Sequence, residues 1–482
     1  MYCDKMYING KMVEGKGDEF SVVNPATGKV IKTLRAADES QAEEALQAAK
    51  AAEKSWGSLS LNDRIAWMEK LCNALRENKE ELVDIIAQEG KSYSEAAGQL
   101  NSLLDYMKYY AEEVKRVYDI GVPEYGAARG TSYHTIIRRP LGVVVGHLPW
   151  NSPVSLLGVK LAPAMASGCP CVLKPSTSTP LGSMKLAEIA QGIGLPAGAF
   201  NLVCGPPNKV GKYLNESKIP QMVTMVGSSE AGVQVMQQAS TSIKRFSFEL
   251  GGNAPCIIMP DADMDKIIPW MKNRKVFFTG QGCANVNRIY VHESLHDEFV
   301  SALTEEVKKV EIGWGKNMTF AMGPLMNMRN RENMIALIEK TVEQGATMTY
   351  GGRPDPETLP EDLREGSYIL PTILDNCTDE MDIAQCEIFG PVFPVYTFTD
   401  LDDVIARANN TKYGLSSYLM THDYRVMTKC IEELEFGEVD INMPGLGPNL
   451  PHVGIKESGV GCDRSLWSLD EYFSLRRISI KP

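Results

Sequence analysis

The chain has 482 residues, of which 44% are hydrophobic and 23% are charged, and its formal net charge at pH 7 is −12. This length exceeds one ordinary hydrophobic core and predicts two or three globular domains. The negative charge argues against a nucleic acid or an anionic membrane surface as a partner.

The N-terminal stretch and the cysteines bear on where the protein works. Residues 1–17 are polar and interrupted by glycine, unlike a signal peptide, and no apolar run approaches the roughly 18–20 residues of a membrane span. The 11 cysteines are scattered, without a CxxC pair or a Cys/His cluster of zinc spacing. We therefore expect a cytoplasmic protein with reduced thiols, no membrane partner and no metal site.

The first quarter of the chain changes from strand patterns to helix patterns. Residues 7–35 predict short strands joined by Asn-Gly and Thr-Gly turns. From about residue 38 to 116, apolar residues recur at a spacing of three and four, which predicts helices, with Ser60 or Asn62 as an N-cap. Residues 118–140 lose that period.

The rest of the chain alternates strands and helices. Residues 142–250 form one such series and residues 251–440 form a second. Strand and helix in alternation predict parallel sheets covered on both faces, which bind ligands at the carboxyl ends of their strands. The tail from about Asp470 is strand-like, and because a lone strand needs a sheet, we expect it to join a neighbouring subunit.

One stretch has the pattern of an anion site. VGSSEAG, residues 226–232, follows a predicted strand and opens a predicted helix, and neither GxGxxG nor GxxxxGK[ST] occurs anywhere. Gly227 permits a turn, and Ser228 with nearby backbone N–H groups faces outward at the helix N-terminus. The alternative is a serine N-cap that binds no ligand.

Four short motifs then carry a resemblance to a known family. In chain order they are PWNSP (149–153), FELGG (248–252), GQGC (280–283) and EIFGP (387–391), and Cys283 follows Glu249 by 34 residues. In this order and spacing they resemble the aldehyde dehydrogenase superfamily. The resemblance covers nearly the whole chain, including NPATGKVI, LAPAMASGCPCVLKPS, GLPAGAFNLVCG and IKESGVG.

The resemblance implies a catalytic set. Cys283 would attack the aldehyde as a thiolate, and the side-chain amide of Asn151 with the backbone N–H of Cys283 would stabilise the oxyanion. Glu249 would activate the water that hydrolyses the resulting thioester. Lys160 matches a family lysine close to the site, with a helix lysine that reaches out to solvent as the alternative.

The resemblance also implies NAD or NADP as the cofactor. The positions that would contact the cofactor are Trp150, Lys174, Thr177, Gly227, Ser228, Leu250, Glu387 and Phe389. NAD-preferring members usually carry a glutamate where this chain has Thr177, and its carboxylate repels a 2′-phosphate. We therefore expect NADP to be accepted, with a preference for NADP left open.

Departures from the family pattern concentrate around the substrate. Phe278 stands at the usual asparagine of the nucleophile loop, Cys462 replaces an arginine, and Phe277 stands where enzymes for succinate semialdehyde usually have an arginine, which argues against that substrate without excluding it. The expected pocket is lined by small and polar groups and fits a small or polar aldehyde; its residues are Ser152, Gly282, Ala284 and His452, the last of which replaces a phenylalanine and is otherwise a surface histidine.

Three other functions compete with a hydrolytic dehydrogenase. A CoA-acylating enzyme has no need of a dedicated base such as Glu249. A catalytically silent binding protein is disfavoured because Asn151, Glu249 and Cys283 occur together. A cysteine hydrolase needs a histidine beside the thiol, and His292 and His296, although near in sequence, follow a strand and are expected to lie away from it.

The predicted architecture is an α/β fold of the aldehyde dehydrogenase type, with two doubly wound domains and a small β element. Residues 1–117 and 140–250 would form the cofactor-binding domain and residues 251–440 the catalytic domain. Residues 118–139 and 465–482 would form an oligomerisation element, which predicts a homodimer or homotetramer.

Overall fold

The structure, a computed structural model, describes residues 3–124, 132–316, 318 and 321–481. The strands are β1 (Met6–Ile8), β2 (Lys11–Val13), β3 (Glu19–Val23), β4 (Val30–Arg35), β5 (Ile120–Val122), β6 (Tyr133–Pro140), β7 (Val144–His147), β8 (Cys171–Lys174), β9 (Phe200–Leu202), β10 (Met222–Val226), β11 (Arg245–Glu249), β12 (Ala254–Ile258), β13 (Val286–His292), β14 (Thr347–Gly352), β15 (Leu370–Asp375), β16 (Val392–Phe398), β17 (Tyr413–Gly414), β18 (Ser416–Met420), β19 (Glu438–Ile441), β20 (Ile455–Lys456), β21 (Gly459–Val460) and β22 (Phe473–Ile480).

The α-helices are α1 (Glu39–Gly57), α2 (Leu61–Glu77), α3 (Lys79–Gln88), α4 (Tyr93–Glu113), α5 (Pro153–Ser167), α6 (Leu181–Gly192), α7 (Lys212–Glu216), α8 (Ser229–Ala239), α9 (Met264–Val276), α10 (His296–Val307), α11 (Met328–Glu343), α12 (Asp382–Gln385), α13 (Leu401–Asn409), α14 (Tyr424–Glu433) and α15 (Ser465–Glu471). None of the described helices combines the length and the hydropathy required to cross a bilayer.

The first sheet has eight strands in the order β2-β1-β9-β8-β7-β10-β11-β21. The five from β9 to β11 are parallel, and β1 and β21 flank them antiparallel. The carboxyl ends of β7, β8, β10 and β11 therefore meet at one edge of the sheet, where an open parallel sheet binds its ligand. That edge continues into the Trp150 loop, Lys174, Gly227 and Glu249.

The second sheet has seven strands in the order β14-β15-β16-β13-β12-β18-β19. All of its neighbours pair parallel except β14 with β15. Its central strands are buried apolar runs, as a sheet covered on both faces requires. The two sheets confirm the predicted α/β fold with two parallel units. The assignment of residue ranges to a cofactor-binding and a catalytic domain stays a prediction, and β21 joins the first sheet from outside those ranges.

The N-terminal helices and turns follow from local sequence. Ser60, not Asn62, is the N-cap of α2, and its side chain accepts a hydrogen bond from the N–H of Asp63. The Asn9-Gly10 pair has φ values of 49° and 78°, the conformation of a tight hairpin turn between β1 and β2. The helix and turn predictions for this region are therefore confirmed.

The third sheet corrects the prediction for the tail. β22 pairs antiparallel with β6 from Phe473 opposite Pro140 to Ile480 opposite Tyr133, and β5 lies on the other side of β6. The tail thus finds its sheet within its own chain, and the expectation that a neighbouring subunit must supply the other strands was wrong. The physical reason is that β5 occupies only one edge of the eight-residue strand β6, which leaves the other edge for β22. Residues 125–131 of the predicted element lie outside the described residues.

Candidate active site

A cavity of about 340 Å³ brings together the residues predicted to do the chemistry. Cys283, Asn151 and Glu249 all line it, although they come from three distant parts of the chain. The four predicted pocket residues line the same cavity, namely Ser152, Gly282, Ala284 and His452. The cavity lies where the carboxyl edge of the first sheet faces the segment that leads into β13.

The segment before Cys283 is a left-handed turn that few residue types adopt. Phe278, Thr279 and Gly280 have φ values of 51°, 55° and 70°. Such angles are costly for a phenylalanine and a threonine, and surrounding groups must hold them. The carboxylate of Glu95 accepts from the Phe278 N–H, and the Thr279 hydroxyl donates to a backbone carbonyl at 2.9 Å. The turn fixes the place of Cys283.

A glycine makes room for the nucleophile loop. A Cβ atom on Gly252 would lie 2.2 Å from the carbonyl oxygen of Cys283, which is far closer than van der Waals contact. Gly252 belongs to the FELGG motif, three residues after Glu249. The close approach therefore explains why this motif ends in glycine, and it ties the strand end of Glu249 to the loop of Cys283.

Asn151 follows β7 and precedes α5. Its side chain is buried, and its amide nitrogen donates to the carbonyl oxygen of Gln281 at 3.1 Å. A side-chain amide has two N–H groups, so one remains for another acceptor in the cavity. Asn151 therefore lies in a position to donate to an oxygen atom that gains negative charge beside Cys283.

Glu249 is the last residue of β11, and its carboxylate is buried. One oxygen accepts from the Asp463 N–H at 3.3 Å, and the other is buried with no hydrogen-bond partner among the described residues. Burial is the main cause that raises the pKa of Glu249 to about 8, with a smaller lowering by His452 and a smaller raising by Asp463. A carboxylate with that pKa and one free oxygen can take a proton from water near neutral pH.

Lys160 does not reach solvent, so that alternative was wrong. Its side chain is fully buried inside α5, and its ammonium group lies 2.6 Å from one carboxylate oxygen of Asp463 and 2.8 Å from the other. Asp463 in turn donates its backbone N–H to Glu249. The ion pair thus fixes Asp463, whose backbone N–H binds the carboxylate of Glu249. Of the two members of the pair, Asp463 lines the cavity and Lys160 does not.

His452 is buried, which rules out a surface histidine. Its Nδ1 lies 2.5 Å from a carboxylate oxygen of Glu438, and its Nε2 lies 3.8 Å from the sulfur of Cys283. Burial is the largest single influence and lowers the pKa of His452, but the charge of Glu438 and the hydrogen bonds with Glu438 and Cys283 together outweigh it, and the pKa is raised well above 6.5. Sequence reasoning placed His452 at the pocket but missed Glu438, which no local motif marks.

Two arginines at the cavity were also missed from the sequence. Arg464 adopts φ 62° and ψ 177°, a conformation that is essentially restricted to glycine, and its guanidinium group makes no hydrogen bond within the described part of the chain. Arg274 donates to the carbonyl of Ala284 and to the hydroxyl of Tyr418. Cys462, two residues before Arg464, showed that this segment departs from the family pattern. It did not indicate that the charge of Arg464 lies at the cavity.

Two further cavities continue from Cys283 toward the carboxyl edge of the first sheet. The nearer has a volume of about 170 Å³ and is lined by Cys283 and Asn151 together with Trp150, Gly227, Ser228, Leu250, Glu387 and Phe389. The farther, of about 390 Å³, shares Trp150 and Gly227 with it and is lined by Lys174 and Thr177. All eight residues predicted to contact the cofactor thus line one continuous path.

The nearer of these cavities has a defined shape. Phe389 stacks edge-on against Trp150 with ring centroids 5.3 Å apart, and Glu387 accepts from the Gly252 N–H at 3.0 Å. Burial raises the pKa of Glu387 to about 7. Ser228 is the N-cap of α8 and accepts from the Ala231 N–H at 3.2 Å. The first turn of α8 therefore opens at the cavity, where an anionic group is favoured.

The farther cavity has a cation and no anion. Lys174 is buried, and its ammonium group makes only long hydrogen bonds, of 3.3 Å to the carbonyl of Gly205 and 3.4 Å to that of Pro175. Among the described residues that line this cavity none is acidic. His147 also lines it, and its Nε2 donates to the side-chain oxygen of Asn215 at 2.7 Å. The path from Thr177 to Cys283 fits an extended anionic molecule with an aromatic ring at the cysteine end.

Comparison with known proteins gives the same result along the whole chain. The sequence pattern of the aldehyde dehydrogenase family matches residues 12–478. The glutarate-semialdehyde dehydrogenase of Pseudomonas putida is 34% identical, over 100% of this chain and 98% of that protein. The NADP-dependent succinate-semialdehyde dehydrogenase of Escherichia coli is 33% identical, with the same two coverages.

Solved structures are equally similar. An NADP-dependent enzyme of Escherichia coli superposes with a TM-score of 0.95 at 32% identity, covering 100% of this chain and 98% of that one. The betaine aldehyde dehydrogenase of Staphylococcus aureus, solved with NAD+, superposes with a TM-score of 0.94 at 30% identity, covering 100% of this chain and 95% of that one.

Proposed function

This chain belongs to the aldehyde dehydrogenase family, and we propose that it oxidises a short aldehyde bearing a distal carboxylate to the dicarboxylic acid. NAD(P)-dependent oxidation of an aldehyde is the activity of the family, and the predicted oxidoreductase is confirmed. The single observation that carries the finer assignment is the guanidinium group of Arg464, which lines the cavity of Cys283 without a hydrogen bond.

The residues of the cavity divide the reaction between them. The Cys283 thiolate attacks the carbonyl carbon, and the amide of Asn151 with the backbone N–H of Cys283 stabilises the charge on oxygen. When bound along the path lined by Lys174, Ser228 and Glu387, NAD(P) supplies the hydride acceptor. A thioester then remains on Cys283. Glu249 takes a proton from water, which attacks the thioester and releases the acid.

Charge complementarity supports the acid-bearing substrate. Arg464 is only partly buried, and the carboxylates of Glu438 and Asp463 act on its charge without forming a hydrogen bond to it. Its N–H groups are therefore available to a substrate carboxylate, which can form two parallel hydrogen bonds with a guanidinium group. Arg274 is held through one terminal nitrogen by Ala284 and Tyr418, and its buried Nε has no partner, whereas the whole guanidinium group of Arg464 is free of hydrogen bonds among the described residues. The relatives in Pseudomonas putida, Halomonas elongata and Escherichia coli are named for glutarate, aspartate and succinate semialdehydes, each of which has a carboxylate. In this proposal Arg464 binds the substrate carboxylate in place of the arginine that enzymes for succinate semialdehyde usually have at the position of Phe277.

Steady-state kinetics test this assignment. We expect kcat/KM for glutarate or succinate semialdehyde to exceed that for butanal, and Arg464→Gly to lower the value for the semialdehydes by about 10–100-fold, the weight of one charge-assisted pair. Glycine is the matched choice because it adopts the backbone conformation of Arg464 without strain. Arg329→Gly, at an exposed arginine of α11, is the control. An equal loss on butanal would sink the role of Arg464.

Hydrolysis is favoured over transfer to coenzyme A because Glu249 lines the cavity and one of its carboxylate oxygens has no hydrogen-bond partner among the described residues. Turnover without CoA, with the free acid as the product, is the expected result. If turnover appeared only after CoA was added, the CoA-acylating alternative would replace the hydrolytic one.

The farther cavity supports use of NADP in addition to NAD. Thr177 lines it where NAD-preferring members carry a glutamate, and no described lining residue is acidic there, so nothing repels a 2′-phosphate. We propose NADP as the preferred cofactor. Comparison of kcat/KM for the two cofactors at a saturating aldehyde concentration checks it.

A homodimer or homotetramer is proposed through the third sheet. Ile120, Leu475 and Ile480 of β5 and β22 are exposed apolar residues on that sheet, at an edge and face that a second copy can cover. Light scattering after size-exclusion chromatography gives the mass directly. A cytoplasmic location is proposed with it, because the 11 cysteines are all free thiols.

A further inference from the structure

We propose that Glu438, His452 and Cys283 form a proton relay, in which His452 takes the proton of Cys283 so that the nucleophile is a thiolate before any aldehyde binds. The inference rests on the proposed role of Cys283 as the nucleophile. It makes His452 a catalytic residue, since it touches the reacting sulfur, and Glu438 a positioning residue that acts through it.

The first step is the geometry between the sulfur and the ring. The 3.8 Å between Cys283 Sγ and His452 Nε2 is within reach of a hydrogen bond to sulfur, whose radius exceeds that of oxygen. Because Nδ1 faces a carboxylate oxygen of Glu438 at 2.5 Å, the proton of the neutral ring is on Nδ1, and the lone pair of Nε2 points toward the thiol. The ring is thus a base toward Cys283.

The second step is what holds the ring in place. The backbone N–H of His452 donates to the carbonyl of Asp463 at 2.8 Å, and the N–H of Asp463 donates back at 3.0 Å. Glu438 opens β19, and its second carboxylate oxygen accepts from the hydroxyl of Ser416 on β18 at 2.5 Å. Two separate elements therefore fix the carboxylate and the imidazole, as a preorganised acid–base pair requires.

The third step is the balance of charge around the ring. Glu438 stabilises the imidazolium, and Glu249 and Asp440 add negative charge nearby, while Arg464 opposes it. Arg274 also lines the cavity. The net result favours protonated His452 despite its burial, and an imidazolium beside a thiol stabilises the thiolate.

The proton and electron balance closes over one turnover. The S–H bond breaks, its electron pair stays on sulfur, and the proton goes to Nε2 of His452. On attack, the S–C bond forms and the carbonyl pair moves to oxygen. That pair re-forms the C=O bond as the C–H pair leaves as hydride, for which NAD(P) bound along the adjacent cavities would be the acceptor, and a thioester remains. When water, deprotonated by Glu249, attacks the thioester, the C–S pair returns to sulfur and regenerates the thiolate, and Glu249 releases its proton to solvent. His452 keeps its proton throughout, and Glu249 serves only the water step.

Alkylation of the holoprotein tests the relay without any aldehyde. The rate at which iodoacetamide labels Cys283, followed by peptide mass spectrometry, is measured against pH. At about pH 6.5 an ordinary thiol with a pKa of about 8.5 is about 1% thiolate, so His452→Phe is expected to slow labelling by about 10–100-fold. At about pH 9.5, where an unassisted thiol ionises, the two rates are expected to converge.

The variants separate the relay from a merely structural role. Phenylalanine has a similar volume and keeps the pocket filled, and convergence at high pH shows that the site is intact. Glu438→Gln keeps an acceptor for Nδ1 but removes the charge, so an intermediate slowing is expected. His422→Phe, at an exposed histidine, is the control and should match the parent.

The outcomes are distinct from those for the proposed function. Identical pH profiles of labelling for the parent and His452→Phe would overturn the relay, even if the parent oxidised semialdehydes. Conversely, slowed labelling in His452→Phe together with a parent that oxidises no aldehyde would leave the relay standing and overturn the function. A second measurement is the ultraviolet absorbance of the thiolate, taken as the difference between the parent and Cys283→Ala, which should be lost in His452→Phe.

Discussion

The cavities on the two sides of Cys283 are lined by different kinds of chemical groups. On the cofactor side, the carboxyl ends of four parallel strands and the first turn of α8 supply backbone groups, a lysine and small side chains. On the substrate side, the last 45 residues or so contribute charged side chains, namely Glu438, His452, Asp463 and Arg464. The cofactor side follows from the architecture of the sheet, whereas the substrate side depends on side chains that the fold itself does not require. Changes on one side are therefore expected to leave the other intact.

Removal of the proposed nucleophile has the largest expected effect and tests that separation directly. Cys283→Ala should lower turnover by about 10⁴-fold or more, because no thioester can form. Binding of NADP, followed by quenching of tryptophan fluorescence near Trp150, should be unchanged. Loss of cofactor binding in this variant would show that the two sides are not independent.

Glu249→Gln separates the two chemical steps on the substrate side. Glutamine cannot take a proton from water, so we expect steady-state turnover to fall by about 10²–10⁴-fold. Thioester formation should persist, which appears as a burst of about one reduced cofactor per site in stopped-flow absorbance. Glu339→Gln, at an exposed glutamate of α11, is the matched control. Absence of the burst would place Glu249 in the first step.

The pH dependence follows from the same residue. Since burial raises the pKa of Glu249 to about 8, its base form declines below that pH. We expect the rate of hydrolysis to fall about tenfold between pH 7 and pH 6, with the deprotonated form as the active one. The burst should change much less over this range. A hydrolysis rate that stayed level to pH 6 would contradict the assignment.

Thr177→Glu tests the cofactor side. The new carboxylate would repel a 2′-phosphate in a cavity that otherwise has no acidic lining residue among those described. We expect kcat/KM for NADP to fall by about 10-fold, or about 1.4 kcal/mol, and that for NAD to hold or rise. The order of preference among semialdehydes should not move. Ser178→Glu, one residue along, controls for charge alone.

The smallest expected effect is on the free energy of unfolding, which is lowered by the strained backbone of Arg464 on the substrate side. Arg464 has a backbone conformation that is strained by about 1–3 kcal/mol, and glycine relieves it while gaining about 0.5–1 kcal/mol of disorder in the unfolded chain. We expect Arg464→Gly to raise the free energy of unfolding by about 1 kcal/mol in urea titration. Arg329→Gly, within α11, should lower it. A drop in both would mean that the guanidinium group stabilises the fold.

Motif spacing was enough to single out Cys283, Glu249 and Asn151, the proposed nucleophile, base and amide, which line one cavity. Asn151, Glu249 and Cys283 each follow or end an element whose pattern is visible locally, and parallel strands necessarily bring their ends to one edge. The tail was harder: its strand pattern was visible, but its partner is β6, more than 330 residues earlier along the chain. Periodicity predicts that a strand exists, not which edge it joins.

The sequence by itself determined the family, the α/β fold and the chemical class, because these depend on residue types at fixed spacings and on local periodicity. Only the tertiary structure decided what surrounds the thiol. Glu438 meets His452 because the parallel register of β18 and β19 sets that carboxylate beside Ser416, and Arg464 enters the cavity because its backbone takes a left-handed conformation. No sequence periodicity relates the residues that make these contacts. The arrangement of charges around Cys283 therefore follows only from tertiary packing.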